Sequence, residues 1–242
     1  MIKIALGLKQ LAKKQCLTNK MFTIYRFKAV DSTNSLARDY PPNSIILAEE
    51  QKKGKGRFNR RWHSKKGGLW FSIILKPERR IFEYTFITSL AILKSLKIKA
   101  KIKWPNDIMY NNKKICGILS QLISQGTKNK VIVGIGINVN NQLPRRLGKK
   151  ATSLRKIKKK SYDLIVLLNN ILNNFEYLSK KEFKDILSEY KKNCLILNKS
   201  IRVCCLQKNL SGNAVDIDYD GNLILEKDGK TIKLNEGDVS IL

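Results

Sequence analysis

The stretch Val131-Ile132-Val133-Gly134-Ile135-Gly136-Ile137-Asn138-Val139 constrains this chain more than any other. Val131, Val133, Ile135, Ile137 and Val139 alternate along it, and all are β-branched. Side chains alternate across a strand, so these residues share one face and suit a pleated, buried surface. The other face carries Gly134, Gly136 and then Asn138. A face bare of side chains serves either close packing of a second element or a flat ligand laid against the backbone. Both uses require a sheet whose two faces are covered by different things.

The rest of the chain supplies that sheet and its cover. Phe22–Phe27 alternates like a first strand, and Ser44–Gln51 and Gly68–Leu75 are apolar strands. Residues 82–97 place Phe82, Phe86, Leu90, Leu93 and Ile98 at roughly helical spacing. A second helix carries the stripe Leu164, Ile165, Leu168, Ile171, Leu172, Phe175 and Leu178, and a short third covers about 181–191. From Asn198 onward the pattern changes to short strands with Asp220-Gly221 and Asp228-Gly229 turns.

Three polar stretches interrupt this framework. Asp31-Ser32-Thr33-Asn34 has the composition of a helix cap, and its hydroxyls and amide equally suit a polar ligand group. Lys52 to Ser64 opens at a strand end and holds Gly54, Gly56, a run of Lys and Arg, and Trp62. The glycines permit positive φ and close backbone approach, and the cations suit an anionic phosphate. Lys103-Trp104-Pro105-Asn106-Asp107 is a strand broken at a defined point by proline, with an amide and a carboxylate just beyond. Asn111-Asn112 is a hairpin turn, and it returns the chain to Lys114 and Gly117. Acid, amide and ammonium thereby gather at one end of a sheet, while a Pro-kinked solvated loop has the same composition.

Composition narrows the chemistry. The five cysteines Cys16, Cys116, Cys194, Cys204 and Cys205 form no Cys-x-x-Cys, which argues against disulfide frameworks and zinc sites and fits a reducing cytoplasm. His63 is the only histidine, so a His-based triad or multi-His metal site is set aside. No apolar run is long enough to span a membrane, and the opening residues lack a secretory signal pattern. The net charge of +29 invites a nucleic-acid reading. Lys, Ile and Asn are nevertheless in excess along the whole length, a bias that AT-rich coding also produces.

The ordered set of motifs resembles the biotin protein ligase family. It comprises Asp31–Asn34, Ala48–Gln51, Gly54–Ser64, Lys103–Asp107 with Lys114 and Gly117-Ile118-Leu119, Gly134–Asn138, Thr152-Ser153-Leu154 and the terminal β module. The resemblance implies an α+β fold: a mixed central sheet packed by helices, as in class II synthetase-like and biotin–lipoate ligase catalytic domains, plus a small C-terminal β-barrel. The expected division is an extension at 1–21, with Met21 a candidate start, a catalytic domain at 22–194 and a β-barrel at 195–242. The implied reaction joins biotin and ATP to biotinyl-5′-AMP, then moves biotin to a lysine of an apo biotin carboxyl carrier protein of acetyl-CoA carboxylase.

By resemblance, Ser32, Thr33, Asn34, Gln51, Lys55, Gly56, Arg57, Lys114, Gly117, Gly134 and Gly136 bind biotin. Arg57, Arg60, Trp62, Asn106, Asp107, Lys114 and Asn138 bind ATP. Lys114, Arg57 and Arg60 are the expected catalytic groups, and Asp107 the expected ligand of Mg²⁺ accompanying ATP. The family's usual Gly-Arg-Gly-Arg-x-Gly-Arg loop here has Lys55 for one Arg and Asn59 for one Gly. Lys keeps charge but loses the bidentate fork. Gln121 stands where the family commonly has an acid, so it receives no metal role. With too few residues before Met21 for a helix-turn-helix, specific DNA binding is not expected. The expected protein is cytoplasmic, off the membrane, and monomeric or homodimeric. A lipoate–protein ligase and a nucleic-acid-binding protein are the alternative readings.

Overall fold

In a computed structural model, Lys13–Lys14 and residues 21–242 are described, apart from 126–127 and 206–207. The strands of the first sheet are β1 (Lys13–Lys14), β2 (Thr23–Val30), β3 (Ser44–Gln51), β4 (Leu69–Leu75), β5 (Lys101–Lys103), β6 (Asp107–Tyr110), β7 (Lys113–Gln125) and β8 (Lys128–Ile137). They form a mixed sheet in the order β1-β2-β3-β4-β8-β7-β6-β5, with only β2 and β3 parallel. Between β2 and β3 the expected helix cap at Asp31–Asn34 opens a short helix, α1 (Thr33–Leu36), and the chain returns in parallel register. The turn expected at Gly126 lies outside the described residues. At Asn111 and Asn112 φ is 45° and 58°, the left-handed pair that a tight two-residue hairpin requires.

The alternation in β8 divides the two faces of the sheet. Val131, Val133, Ile135 and Ile137, with Val139 just beyond, are buried in the main core. That core is covered by α2 (Ile81–Leu96), α4 (Leu164–Ser179) and α5 (Phe183–Lys192), with the short α3 (Leu154–Lys158) leading into α4. On the opposite face Ile132 joins a small cluster with Phe27, Ala37, Ile46, Ala48 and Ile74 beneath α1. The same face then runs on through Gly134, Gly136 and Asn138, which line a cavity. One strand therefore packs two cores and floors a cleft.

The C-terminal residues build a second, antiparallel sheet from β9 (Lys199–Cys205), β10 (Lys208–Ile217), β11 (Leu223–Lys227), β12 (Lys230–Leu234) and β13 (Asp238–Ile241), in the order β12-β11-β10-β9-β13. Ile201, Val203, Ala214, Leu223, Leu225 and Val239 bury their side chains in the main core. Trp104, 1% exposed and followed by a cis peptide to Pro105, donates its indole N–H to Gly221 O at 3.0 Å. Arg80 pairs with Glu83 at 2.6 Å and Asp220 at 2.9 Å, and stacks on Phe82, Phe183 and Tyr219. A guanidinium stacked on aromatic rings gains cation–π as well as ionic attraction. These contacts seat the second sheet against the first.

Candidate active site

A cavity of about 610 Å³ opens on the glycine face of β7 and β8, a size typical of small-molecule sites. Every residue expected at the site lines it: Ser32, Thr33, Asn34 and Gln51 at one end; Lys55, Gly56, Arg57, Arg60 and Trp62 from the basic loop; Asn106, Asp107 and Lys114 at the proline corner; and Gly117, Gly134, Gly136 and Asn138 on the floor.

The polar end is a closed hydrogen-bond network. Gln51 Oε1 accepts from Thr33 N at 2.8 Å and Thr33 Oγ1 at 3.2 Å, and Gln51 Nε2 donates to Ser64 Oγ at 2.7 Å. Asn34 Nδ2 donates to Leu119 O at 3.2 Å and to Gln121 Oε1 at 3.1 Å. Ser72 Oγ lies 2.7 Å from Asn34 Oδ1 and 2.8 Å from Thr33 Oγ1. Ser32 caps α1, its hydroxyl accepting from Ser35 N. A buried network with its members satisfied holds side chains in one arrangement. Ser72 is absent from the sequence-based set, although it is the one polar residue in the apolar strand Leu69–Leu75 and is fully buried. Gln121, given no metal role, acts here as an acceptor for Asn34.

The bare floor is not empty. A Cβ on Gly134 would overlap the Asn34 amide, and one on Gly136 would overlap the Trp62 indole. A Cβ on Gly117 would stand 3.0 Å from Lys114 Cε and 3.2 Å from the Trp62 ring. Gly117 and Gly136 pair across β7 and β8, so Trp62 lies over both. Among the described residues its Nε1, buried there, has no hydrogen-bond partner. The glycines thus admit close approach of Asn34 and Trp62.

The basic loop departs from expectation in its backbone. Gly54 and Gly56 do not take positive φ; Phe58 and Asn59 do, at 53° and 55°. Asn tolerates that region locally, which fits its standing where the family has Gly. Gly54 serves close packing instead, since a Cβ would come 2.6 Å from Trp62 O.

At the proline corner Lys114 Nζ sits 2.6 Å from Asp107 Oδ1 and 5.1 Å from the Trp62 ring centroid. Asn106 Nδ2 donates to Ile118 O at 2.6 Å, and its Oδ1 accepts from Arg57 Nη1 at 3.3 Å. Arg57 also reaches Gly237 O at 3.5 Å and Glu236 at 3.5 Å, while Arg60 pairs with Asp238. That last bond holds the Arg60 guanidinium protonated even more firmly than usual. The second sheet therefore supplies carboxylates to the loop, a contribution no local sequence signal announces. Asn138 is buried and accepts from Asn141 Nδ2 at 3.1 Å. Leu143, Arg146, Leu147 and Lys150 complete a wall that sequence reasoning did not find.

Among the described residues no three His, Cys, Asp or Glu side chains come together as a metal cage. Asp107 and Asp238 both line the cavity, Asp238 paired with Arg60, and one carboxylate such as Asp107 completed by substrate phosphates is a usual way of holding Mg²⁺.

Sheet, glycine floor and cation-rich cavity together define a small-molecule site suited to an anionic ligand. Residues 26–138 match the biotin/lipoate A/B protein ligase family, and residues 196–242 match the biotin protein ligase C-terminal domain. The bifunctional ligase/repressor BirA of Bacillus subtilis is 31% identical over 221 residues, covering 83% of this chain and 67% of that protein. The biotin–[acetyl-CoA-carboxylase] ligase of Mycobacterium tuberculosis is 26% identical over 214 residues, covering 81% and 77%. The biotin protein ligase from Aquifex aeolicus in complex with biotin and ATP superposes with a TM-score of 0.81 at 29% identity, covering 90% of this chain and 98% of that one. The chain belongs to the biotin protein ligase family.

Proposed function

We propose that this chain condenses biotin with ATP and then biotinylates a lysine of an apo biotin carboxyl carrier protein, that of acetyl-CoA carboxylase. The observation that carries the reading is the placement of Lys114, Asp107 and Asn106 beside the paired glycines Gly117 and Gly136 in one cavity. In the first step a biotin carboxylate oxygen attacks the α-phosphorus of ATP and pyrophosphate leaves. In the second the carrier amine attacks the acyl carbon of the mixed anhydride, loses a proton, and AMP departs. No covalent enzyme intermediate is needed.

The bicyclic ring would lie over Gly134 and Gly136, with Ser32, Thr33, Asn34 and Gln51 holding its polar groups. Trp62 and Asn34 must shift for the ring to reach the backbone there. Lys114, released from Asp107, would neutralise charge between the carboxylate and the α-phosphate. Arg57 and Arg60 would hold the phosphate and close the loop against water. Asn106, Asp107 and Asn138 would position the nucleotide, and Mg²⁺ bound through Asp107 would supply charge neutralisation on the phosphates.

The test is biotin-dependent ATP–pyrophosphate exchange followed by labelling of an apo carrier domain. Exchange with biotin and label on a single carrier lysine are expected. Calorimetric binding of lipoate but not biotin would overturn the choice of acid.

A further inference from the structure

The cations of the cavity fall into two sets. Arg57, Arg60 and Lys114 already have carboxylates, from Glu236, Asp238 and Asp107. Lys55, Arg61, Arg146 and Lys150 line the same cavity and, among the described residues, none of them is ion-paired. An anion meeting the first set must compete with a carboxylate; at the second set it competes with water and with neutral partners, the Lys52 carbonyl at Arg61 and His63 at Arg146.

The second set is held in place by the backbone. Lys55 and Arg61 form an antiparallel bridge across the basic loop. Lys150 O accepts from Lys114 N at 2.9 Å, and Thr152 N donates to Lys114 O at 3.0 Å, so Lys150 adjoins the residue proposed to act on the reacting carboxylate. Arg146 Nη2 lies 2.8 Å from His63 Nε2. A guanidinium only donates, so His63 must accept there and be neutral at that nitrogen. A neutral His63 thus tethers Arg146 to the loop without cancelling its charge.

We propose that Arg146 and Lys150, facing Arg61 and Lys55, form the subsite for the β- and γ-phosphates of ATP and for departing pyrophosphate. This rests on the adenylating reading above and adds a wall to the site. All four side chains are exposed, so their shared positive charge draws an anion toward this wall at a range that salt screens. Through the backbone hydrogen bond of Lys150 to Lys114, this wall adjoins the residue beside which the α-phosphate would sit.

The experiment is biotin-dependent ATP–pyrophosphate exchange on the full chain, comparing wild type with Arg146→Gln/Lys150→Gln. Calorimetry with biotin alone accompanies it. The expected result is a rise of about tenfold in KM for both ATP and pyrophosphate, with biotin affinity unchanged. The control is Arg145→Gln/Lys149→Gln, which removes the same charge from the same segment at residues that do not line the cavity. An equal rise in that control would mean a general field and no subsite, and would overturn the proposal. Unchanged KM values in the cavity variant, with normal wild-type exchange, would overturn the subsite and leave the adenylating reading intact. Absence of biotin-dependent exchange in wild type would overturn both.

Discussion

Lys114 Nζ and Asp107 Oδ1 lie 2.6 Å apart across the hairpin of β6 and β7, with side chains 30% and 16% exposed. The ammonium proposed to meet the reacting carboxylate is therefore held by the carboxylate proposed to meet Mg²⁺. A ligand carboxylate that takes Lys114 frees Asp107 at the same time. Lys114→Ala is expected to lower biotin-dependent exchange by about 100- to 1,000-fold, the scale of losing a donor aimed at developing charge. Asp107→Asn is expected to raise KM for ATP more than KM for biotin. Steady-state exchange kinetics check both, and unchanged adenylation in Lys114→Ala would remove that residue from the role assigned to it.

The contact between Gly134 and Asn34 admits no methyl group. Gly134→Ala is expected to push the Asn34 amide out of its bonds to Leu119 O and Gln121 Oε1. Overpacking of this kind costs about 1–3 kcal/mol. Thermal melting should show that loss, and calorimetry should show biotin affinity at least about tenfold weaker. Combining Gly134→Ala with Asn34→Ala removes the overlap, so the double variant should melt no lower than Asn34→Ala alone, which itself loses the bonds to Leu119 O, Gln121 Oε1 and Ser72 Oγ, and should not recover the affinity. Full recovery of affinity in the double variant would mean that the Asn34 amide makes no contact with biotin.

Trp62 covers Gly117 and Gly136 with its indole N–H buried and, among the described residues, unpartnered, whereas Trp70 and Trp104 are 0% and 1% exposed in the core. If biotin lies on that floor, Trp62 changes environment and the other two do not. Tryptophan emission should change on biotin addition in wild type and stay flat in Trp62→Phe. The same change in the variant would place biotin away from this floor.

Burial, followed by the positive charges of Arg146 and Arg61, lowers the pKa of His63 below its ordinary 6.5. His63 is therefore neutral at pH 7, as its bond from Arg146 requires. Because the folded value lies under the unfolded one, the unfolded chain takes up this proton first as pH falls below 6.5. The folded state loses stability over that window and gains none above it. Proton NMR should find the only histidine titrating below 6.5, and Arg146→Gln should move it upward.

Most of the site could be read along the chain. The Gly134-x-Gly136-x-Asn138 face, the basic loop and the Asn106-Asp107 corner are local patterns, and each depends on residues a few positions apart. Ser72 was legible in principle, a lone hydroxyl in an otherwise apolar strand, yet the strand reads first as continuous apolar core. Glu236 and Asp238 were not legible: Arg57 and Gly237 are 180 positions apart, Arg60 and Asp238 are 178 apart, and nothing in either segment names the other.

Alternation in Val131–Val139 by itself determined that one face of the strand is core and the other bare, because side-chain direction follows from backbone geometry alone. What covers the bare face was decided only by tertiary packing. Ile132 went under α1, Gly134 under Asn34 and Gly136 under Trp62, since those partners come from segments brought together by the sheet order. Likewise the sequence determined that many cations gather at the loop, whereas the position of the second sheet decided that Arg57 and Arg60 meet carboxylates and Arg61 does not.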